Sequence, residues 1–327
     1  MSVSEPLVSV VIPAFNASAH LEEALDSTAA QQEVALEIIV IDDGSSDGTA
    51  SVAERRGDPR VSVLRHPNGA NRGTSRSRAL GVAAARGAYV ALLDADDAFL
   101  PGKLADQVAA LRDDEAAVMC HTAAVLEHEA DDDPVWMEAD LDPARLPNRY
   151  RLEERPEYFR WNLICNSTVL CRTEAARRLP GFAQRFRYED WTWWTLLAEQ
   201  GPFLYLRRPG CRYRAHANTA TKQVRQDPLV PLWSTAEHCL CILAWARTPA
   251  TKEAAMARLQ ETLGAAWSAY ADSEKIGNVG DTLSSAALLQ RVGALECELA
   301  RLRRAWPRRL AGWSRRVLRV LRGERPV

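Results

Sequence analysis

Four short apolar runs in the first hundred residues constrain this chain more than any other feature. Leu7–Ile12 stops at Pro13-Ala14-Phe15-Asn16, Leu36–Ile41 stops at Asp42-Asp43, Val61–Leu64 is the third run, and Tyr89–Leu93 stops at Asp94. Near-continuous β-rich runs of this length read as strands buried on both faces, hence as a mostly parallel sheet. Helical periods separate them. Leu21, Ala24, Leu25 and Thr28 recur at i, i+3, i+4 and i+7, and Leu104, Val108 and Leu111 form a stripe after Pro101 at a helix first turn. A further helix is expected to start at Ser46 or Asp47. The alternation β-α-β-α-β-α-β predicts an α/β fold, a doubly wound sheet. Ligands in open α/β sheets sit outside the carboxyl ends of the strands. Asn16, Asp42, Asp43, Asp94, Asp96 and Asp97 should therefore converge on one crevice.

Beyond Leu111 the pattern loosens. Glu127–Asp142 reads as an acidic loop, Ser167–Cys171 as a strand, Asp190–Gln200 as a helix closed by Gly201, and Phe203–Leu206 and Cys211–Arg214 as two short strands. All ten Trp lie at or after Trp136, and from about Asp227 the chain reads as all-helical. A length of 327 residues with 47% hydrophobic and 26% charged residues suits a globular chain of one large domain plus an appendage, or two domains, and excludes a disordered or collagen-like one. The net charge of −2 hides an asymmetry, because residues 301–327 hold ten Arg against one Glu and the preceding body is acidic. The seven Cys are scattered and no C-x-x-C occurs, which disfavours a zinc framework or redox pair and suits a reducing compartment. Met1–Pro6 has no basic n-region, so no signal peptide is expected, and no run of about 18 apolar residues is present to span a bilayer.

The sharpest chemical feature is Asp94-Ala95-Asp96-Asp97 at the end of a strand. Like charges this close resist ionisation unless a cation or hydrogen-bond donors accompany them. Hard oxygen ligands suit Mg2+ or Mn2+ with open positions for phosphate oxygens, whereas a solvated acidic loop or a helix cap at Asp97 is the structural alternative. Asp42-Asp43-Gly44-Ser45-Ser46-Asp47 combines turn and cap residues with a second carboxylate pair at a strand end. Neither G-x-G-x-x-G after the first strand nor G-x-x-x-x-G-K-[ST] occurs, which argues against a dinucleotide dehydrogenase or a P-loop enzyme, and G-x-S-x-G is absent too. The residues alone leave open a transferase, a nucleotide-sugar-binding protein without transfer activity, and a nucleotidyltransferase.

Taken together, Val8–Asn16, Ile38–Thr49, Asn68–Gly87 leading into Leu93–Asp97, the Glu189-Asp190-x-x-x-Trp194 stretch and Tyr213-Arg214-Ala215-His216 resemble the inverting family 2 glycosyltransferases with the GT-A fold. The resemblance covers roughly residues 7–220, in order. It implies a Rossmann-like GT-A domain at 1–222, with a nucleotide-binding half at about 1–100 and an acceptor half at about 101–222, followed by a helical region at 223–327. By position, Pro13, Ala14, Phe15 and Asn16 would line the base and ribose, Asp43 would hold the base with Asp42 in support, and Arg78 would approach the base or the phosphates. Asp94 and Ala95 would face the ribose, Asp96 would be the favoured ligand of Mn2+ or Mg2+ with Asp94 beside it, and His216 would be a further metal or phosphate contact. Asp190 would be the general base; its structural alternative is a helix N-cap or first-turn acid. One departure is Ala79, where the family usually has Asn after the arginine.

The implied partners are a nucleoside diphosphate sugar, with a UDP-sugar favoured, and a glycan or lipid-linked acceptor, in surface polysaccharide or glycoconjugate synthesis. Trp161, Trp191, Trp193 and Trp194 flank Asp190; at least two are expected in the core and one is a candidate for the acceptor site. Asn162, Asn166 and Ser167 occupy the stretch where the family places acceptor-side residues. Near the C-terminus, Leu288, Val292, Leu295, Leu299, Leu302 and Trp306 make a short heptad seam over 288–306, suited to a homodimer or to packing on the body. The segment 308–322 is a basic amphipathic helix that suits an anionic membrane surface or docking on the acidic body. Sparse aromatics and the lack of a binding motif disfavour nucleic acid. The expected location is cytoplasmic, with the inner face of the membrane as a peripheral station.

Overall fold

The computed structural model describes residues 8–128, 135–137, 147–151, 162, 164–179, 189–215 and 229–276. Its elements in chain order are β1 (Val8–Ala14), α1 (Leu21–Ala29), β2 (Leu36–Asp42), α2 (Thr49–Arg55), β3 (Val61–Arg65), α3 (Thr74–Ala84), β4 (Tyr89–Leu92), β5 (Ala98–Phe99) and α4 (Lys103–Asp113). There follow β6 (Met119–His128), β7 (Val135–Met137), β8 (Arg149–Tyr150), β9 (Leu170–Arg172), α5 (Thr173–Arg177), α6 (Glu189–Ala198), β10 (Phe203–Ala215), α7 (Leu229–Trp245) and α8 (Pro249–Ile276). The chain divides into two compact units, Met1–Ala217 and Asn218–Val327.

In the first unit the sheet order is β3-β2-β1-β4-β9-β6-β10-β5. The first four strands are parallel, with Val8 of β1 opposite both Leu36 and Tyr89. The chain moves outward from β1 to β3, then returns to place β4 on the other side of β1. That reversal is a topological switch point, and it opens a crevice at the carboxyl ends of β1 and β4. β9 then runs antiparallel between β4 and β6, and β6 pairs in parallel with the long β10. The α/β doubly wound expectation holds for this GT-A-like sheet.

Alternation along the strands feeds two cores. Val8, Val10 and Ile12 pack with Leu21, Ala24, Leu25 and Ala53 on one face, whereas Val11, Ile39 and Ile41 pack with Val82 and Ala85 on the other. The four-residue stripe read for α1 is buried in full, as is Leu104-Val108-Leu111 of α4. At Gly81 of α3 an added Cβ would collide with Val11 and Ile41, so the helix rests directly on β1 and β2.

Several boundaries differ from expectation. β1 continues through Pro13, which is opposite Ile41 of β2; β4 has already ended at Leu92, so the missing amide costs no ladder bond on that side. β3 is an edge strand and only half-buried. α2 starts at Thr49 because Gly48, at φ 89°, turns the chain first. Pro101 precedes α4, separated from it by Gly102 at φ 74°. Within the stretch read as an acidic loop, β6 extends to His128 and Val135–Met137 forms β7 against it. Ser167 belongs to a 3-10 turn, Asn166–Thr168, and the strand starts only at Leu170. The two short strands at 203–214 are one strand, whose register against β6 shifts around Pro209.

In the second unit α7 and α8 pack through Ala236, Cys239, Leu240, Leu243, Met256, Leu259 and Leu263. The Thr248 hydroxyl caps α8 by accepting from Thr251 N–H at 3.2 Å, with Pro249 in the first position. Among the described residues no helix is long and apolar enough to cross a membrane. The heptad seam 288–306 and the basic segment 308–322 lie outside the described residues.

Burial makes one histidine acid-sensitive. His121 of β6 stacks on Tyr205 at 4.8 Å and meets the Tyr150 hydroxyl at 2.7 Å, and burial depresses its pKa to about 3. The unfolded chain takes up this proton near pH 6.5, so it binds more protons than the native state below that pH, and stability falls as pH falls. Urea unfolding should lose about 1.4 kcal/mol from this residue between about pH 7.5 and 5.5, and His121→Gln should remove that share of the pH dependence. An unchanged pH dependence in the variant would refute the assignment.

Candidate active site

The crevice begins where β1 ends. Pro13 and Ala14 are buried in the sheet, so neither side chain reaches the crevice. The next two residues do. Phe15 is 51% exposed, and Asn16 sits at φ 48°, a left-handed conformation that asparagine tolerates. Asn16 is held by the turn after β2: its N–H donates to Ser45 Oγ at 3.0 Å, and its Oδ1 accepts from Ser46 N–H at 2.9 Å.

The paired acids after β2 divide their work. Asp42 accepts from Ser45 N–H at 3.0 Å and faces Arg65 at 3.4 Å, which makes it the closing residue of the turn. Asp43 accepts from Arg72 N–H at 2.6 Å on one oxygen and from Gly73 N–H at 2.8 Å on the other. His66 Nε2 lies 3.5 Å from the first of these oxygens. Asp43 therefore anchors the loop that starts α3, and each oxygen retains a lone pair. Gly44, at φ 80°, would put a Cβ 2.7 Å from the Gly69 carbonyl, so only glycine lets the turn and this loop touch. Asp47 accepts from Ser18 N–H and from both the N–H and hydroxyl of Thr49, bonds that together hold its pKa well below the ordinary value against the opposing effect of burial.

The three acids after β4 are not equivalent. Asp94 and Asp96 are half-buried, whereas Ala95 packs into the core and offers the crevice no side chain. Asp97 turns inward, 3% exposed, and its carboxyl meets Ser167 Oγ at 2.5 Å and Arg214 N–H at 3.0 Å. Burial, with the neighbouring Cys211, Asp94 and Asp96, pushes its pKa well above the ordinary value. The expected triple cluster is therefore two crevice acids and one interior acid.

Arg78 of α3 joins the two halves. Its Nη2 donates to Asp94 Oδ1 at 2.5 Å. With its oxygen turned toward that cation, the Asn166 carboxamide accepts from Nη2 at 2.7 Å and Nη1 at 3.1 Å. Beyond lies Asp190, near the start of α6 and half-buried. Its Oδ1 accepts from Trp191 N–H at 2.7 Å and its Oδ2 from Asn162 Nδ2 at 2.7 Å. Burial raises its pKa, Arg78 and these two donors oppose the rise, and Asp94 adds to it; the net direction is up. A carboxylate raised in this way, with a cation and a second acid beside it, suits proton transfer.

Asp94, Arg78 and Asp190 are thus neighbours, Asp96 follows two residues after Asp94, and Asp43 anchors the loop that leads into α3. His216 and Trp161 lie outside the described residues. Trp191, Trp193 and Trp194 are all buried, so none of the three supplies an exposed acceptor platform. α6 buries every residue from Trp191 to Leu197, Thr192 and Thr195 included, as an interior helix does. The sequence did not reveal Arg214 as a site neighbour. Its side chain reaches Glu23 and, at 2.9 Å, His20 Nδ1 on α1, and the Asp96 charge helps to keep it protonated. The motif Tyr213-Arg214-Ala215-His216 marked this stretch, but a role was read only for His216.

Among the described residues no three His, Cys, Asp or Glu side chains form a metal cage. Two half-buried carboxylates instead fit a hard divalent ion that keeps most of its positions for phosphate oxygens and water.

Residues 9–179 match the family model described as glycosyl transferase family 2. The succinoglycan biosynthesis protein ExoO of Rhizobium meliloti (strain 1021) is 37% identical over 99 residues, 30% of this chain and 28% of that protein. The uncharacterized glycosyltransferase EpsJ of Bacillus subtilis (strain 168) is 38% identical over 94 residues, 28% of this chain and 26% of that one. The chain therefore spans only about a quarter of the length of these curated relatives. The crystal structure of S. aureus TarS 1-349 in complex with UDP-GlcNAc aligns with TM-score 0.62 at 16% identity, over 96% of this chain and 86% of that one. The mannosyltransferase PcManGT from Pyrobaculum calidifontis in complex with GDP-Man and Mn2+ aligns with TM-score 0.58 at 19% identity, over 98% and 86%. At these identities the structural likeness concerns the fold.

Because Asp43 receives two backbone donors in a buried place, Asp43→Ala should lower unfolding free energy by about 2–3 kcal/mol, and Asp43→Asn by roughly half as much. Equal stability of Asp43→Ala and the parent chain in urea would rule out the anchoring role.

Proposed function

The chain belongs to glycosyl transferase family 2, and from that premise we propose that it moves a sugar from a nucleoside diphosphate sugar, with a UDP-sugar favoured, to an acceptor hydroxyl in polysaccharide synthesis, with inversion. The carrying observation is that Arg78 lies between Asp94, beside Asp96 at the end of β4, and Asp190 at the start of α6. Phe15 supplies an exposed apolar face at the end of β1, and the spare lone pairs of Asp43 suit a base N–H. The relative ExoO, named for succinoglycan biosynthesis, and the folds solved with UDP-GlcNAc and with GDP-Man and Mn2+ support the substrate class.

An alcohol is a poor nucleophile near neutral pH, and a carboxylate that takes its proton contributes roughly 10²–10⁴-fold. Asp190 fills that part: Trp191 N–H and Asn162 orient its two oxygens, and its raised pKa makes it a better acceptor than an exposed carboxylate. Attack at the anomeric carbon from the Asp190 side expels the nucleoside diphosphate from the opposite face, which inverts the configuration. Asp96, with Asp94 beside it, would hold Mn2+ or Mg2+, and such an ion, when bound, offsets the charge of the departing diphosphate. Arg78 keeps the Asp94 carboxylate in place on that side.

Titration calorimetry with UDP and Mn2+, paired with a transfer or donor-hydrolysis assay, tests this reading. Asp96→Ala should abolish Mn2+-dependent binding of UDP; unchanged affinity would remove Asp96 from the metal site. Asp190→Asn should bind UDP normally and lose about 10²–10⁴-fold in turnover. A variant retaining near-normal rates would move the base elsewhere.

A further inference from the structure

We propose that Asn166 and Ser167 are positioning residues that set the separation between the donor-side acids and Asp190, and that neither side chain contacts the acceptor. The inference rests on the reading of Asp190 as the base.

Burial supplies the first argument. Ser167 is 0% exposed and Asn166 is 8% exposed, so neither presents a surface to an incoming glycan. Ser167 is also chemically committed. A serine hydroxyl has one hydrogen and two lone pairs. The Ser167 hydroxyl accepts from Asp94 N–H at 3.1 Å and bonds Asp97 Oδ2 at 2.5 Å. The other oxygen of Asp97 accepts from Arg214 N–H at 3.0 Å. One hydroxyl thereby ties the turn to the segment after β4 that carries Asp94, Asp96 and Asp97, and Asp97 in turn bonds the end of β10.

The adjacent residue grips the other side. The Asn166 oxygen accepts from both terminal nitrogens of Arg78, the cation that pairs with Asp94 and opposes the raised pKa of Asp190. In that orientation the carboxamide oxygen faces Arg78 and makes no hydrogen bond to Asp190, so Asn166 acts on the base only through the guanidinium. Of two successive residues, Ser167 therefore holds the leaving-group side, and Asn166 holds the cation that stands between that side and the proton-accepting one.

The turn that carries them is itself fixed. Thr168 Oγ1 donates to the Cys165 carbonyl at 2.6 Å, and Val169 N–H donates to the Asn166 carbonyl at 3.1 Å. Gln107 Nε2 of α4 bonds the Thr168 carbonyl at 2.8 Å and the Cys120 carbonyl at 2.9 Å. This turn is thus bonded to α4, and through α4 to β6. Rigid spacing matters for an in-line displacement, where a misplacement of about 1 Å costs on the order of 10²-fold in rate.

Water as the acceptor separates positioning from acceptor contact. The parent chain, Asn166→Ala and Ser167→Ala are compared in hydrolysis of UDP-GlcNAc and GDP-mannose with Mn2+, and in calorimetric affinity for UDP and GDP with Mn2+. Asn166→Ala should hydrolyse donor about 10–100-fold more slowly while its nucleotide affinity and melting temperature stay close to those of the parent. Ser167→Ala, which releases the β4 end, should bind nucleotide about tenfold more weakly or worse. Hydrolysis at the parent rate by Asn166→Ala overturns the proposal, because loss of an acceptor contact alone leaves hydrolysis intact. Unchanged nucleotide affinity in Ser167→Ala overturns it as well. A parent chain that binds nucleotide but hydrolyses neither donor overturns the transferase reading instead, and the affinity of Ser167→Ala then decides the positioning claim without turnover. A parent chain that binds neither nucleotide overturns both.

Discussion

The double pairing of β1 is the constraint on which this molecule depends. Val8–Val11 are paired with β2 on one side and β4 on the other, all running the same way. Once that register is set, the carboxyl ends of three strands open on the same edge of the sheet, β4 ending opposite Val11 and β2 opposite Ala14. Phe15, Asn16, Asp43 and Asp94 come together for this reason, although they are far apart in the chain. The apolar content of β1 and β2 leaves them no alternative, because both strands need cover on both faces.

The site built on that frame is organised by one guanidinium. Two acids in a partly dry hollow repel each other, and burial alone would drive both toward the neutral form. Arg78 pairs directly with Asp94 and, at longer range, opposes the rise that burial imposes on Asp190. At Asp97, burial and the neighbouring Cys211, Asp94 and Asp96 push the pKa well above the ordinary value. Asp97 is held by hydrogen bonds to Ser167 and Arg214, which turns an acid that resembles a ligand in sequence into part of the frame.

Much of this was legible in residues alone. The stripe Leu21-Ala24-Leu25-Thr28 and the four apolar runs predicted elements that the structure contains, since each is a local consequence of periodic burial. The motif resemblance predicted the family. Where the reading went astray, a distant partner had changed the outcome. Pro13 stayed in its strand because β4 had ended, Phe203–Ala215 remained one strand because β6 supports it through the irregularity at Pro209, and Val135–Met137 became a strand because β6 offered an edge. The Trp-rich start of α6 reads as a sugar platform, yet Trp191, Trp193 and Trp194 are buried, the last two in one core with Met119, Ala175, Phe203 and Tyr205.

What the sequence by itself determined is the set of elements, the strand ends that carry acids, and the family, because these depend on short-range pattern. Only the tertiary structure decided which of those acids face the crevice. Asp94, Asp96 and Asp97 are indistinguishable as letters; their different burial arises from Ser167 and Arg214, one 70 and the other 117 residues away from Asp97. Side-chain direction at a strand end is set by whichever distant group satisfies the buried polar atom, and that pairing exists only once the chain has closed on itself.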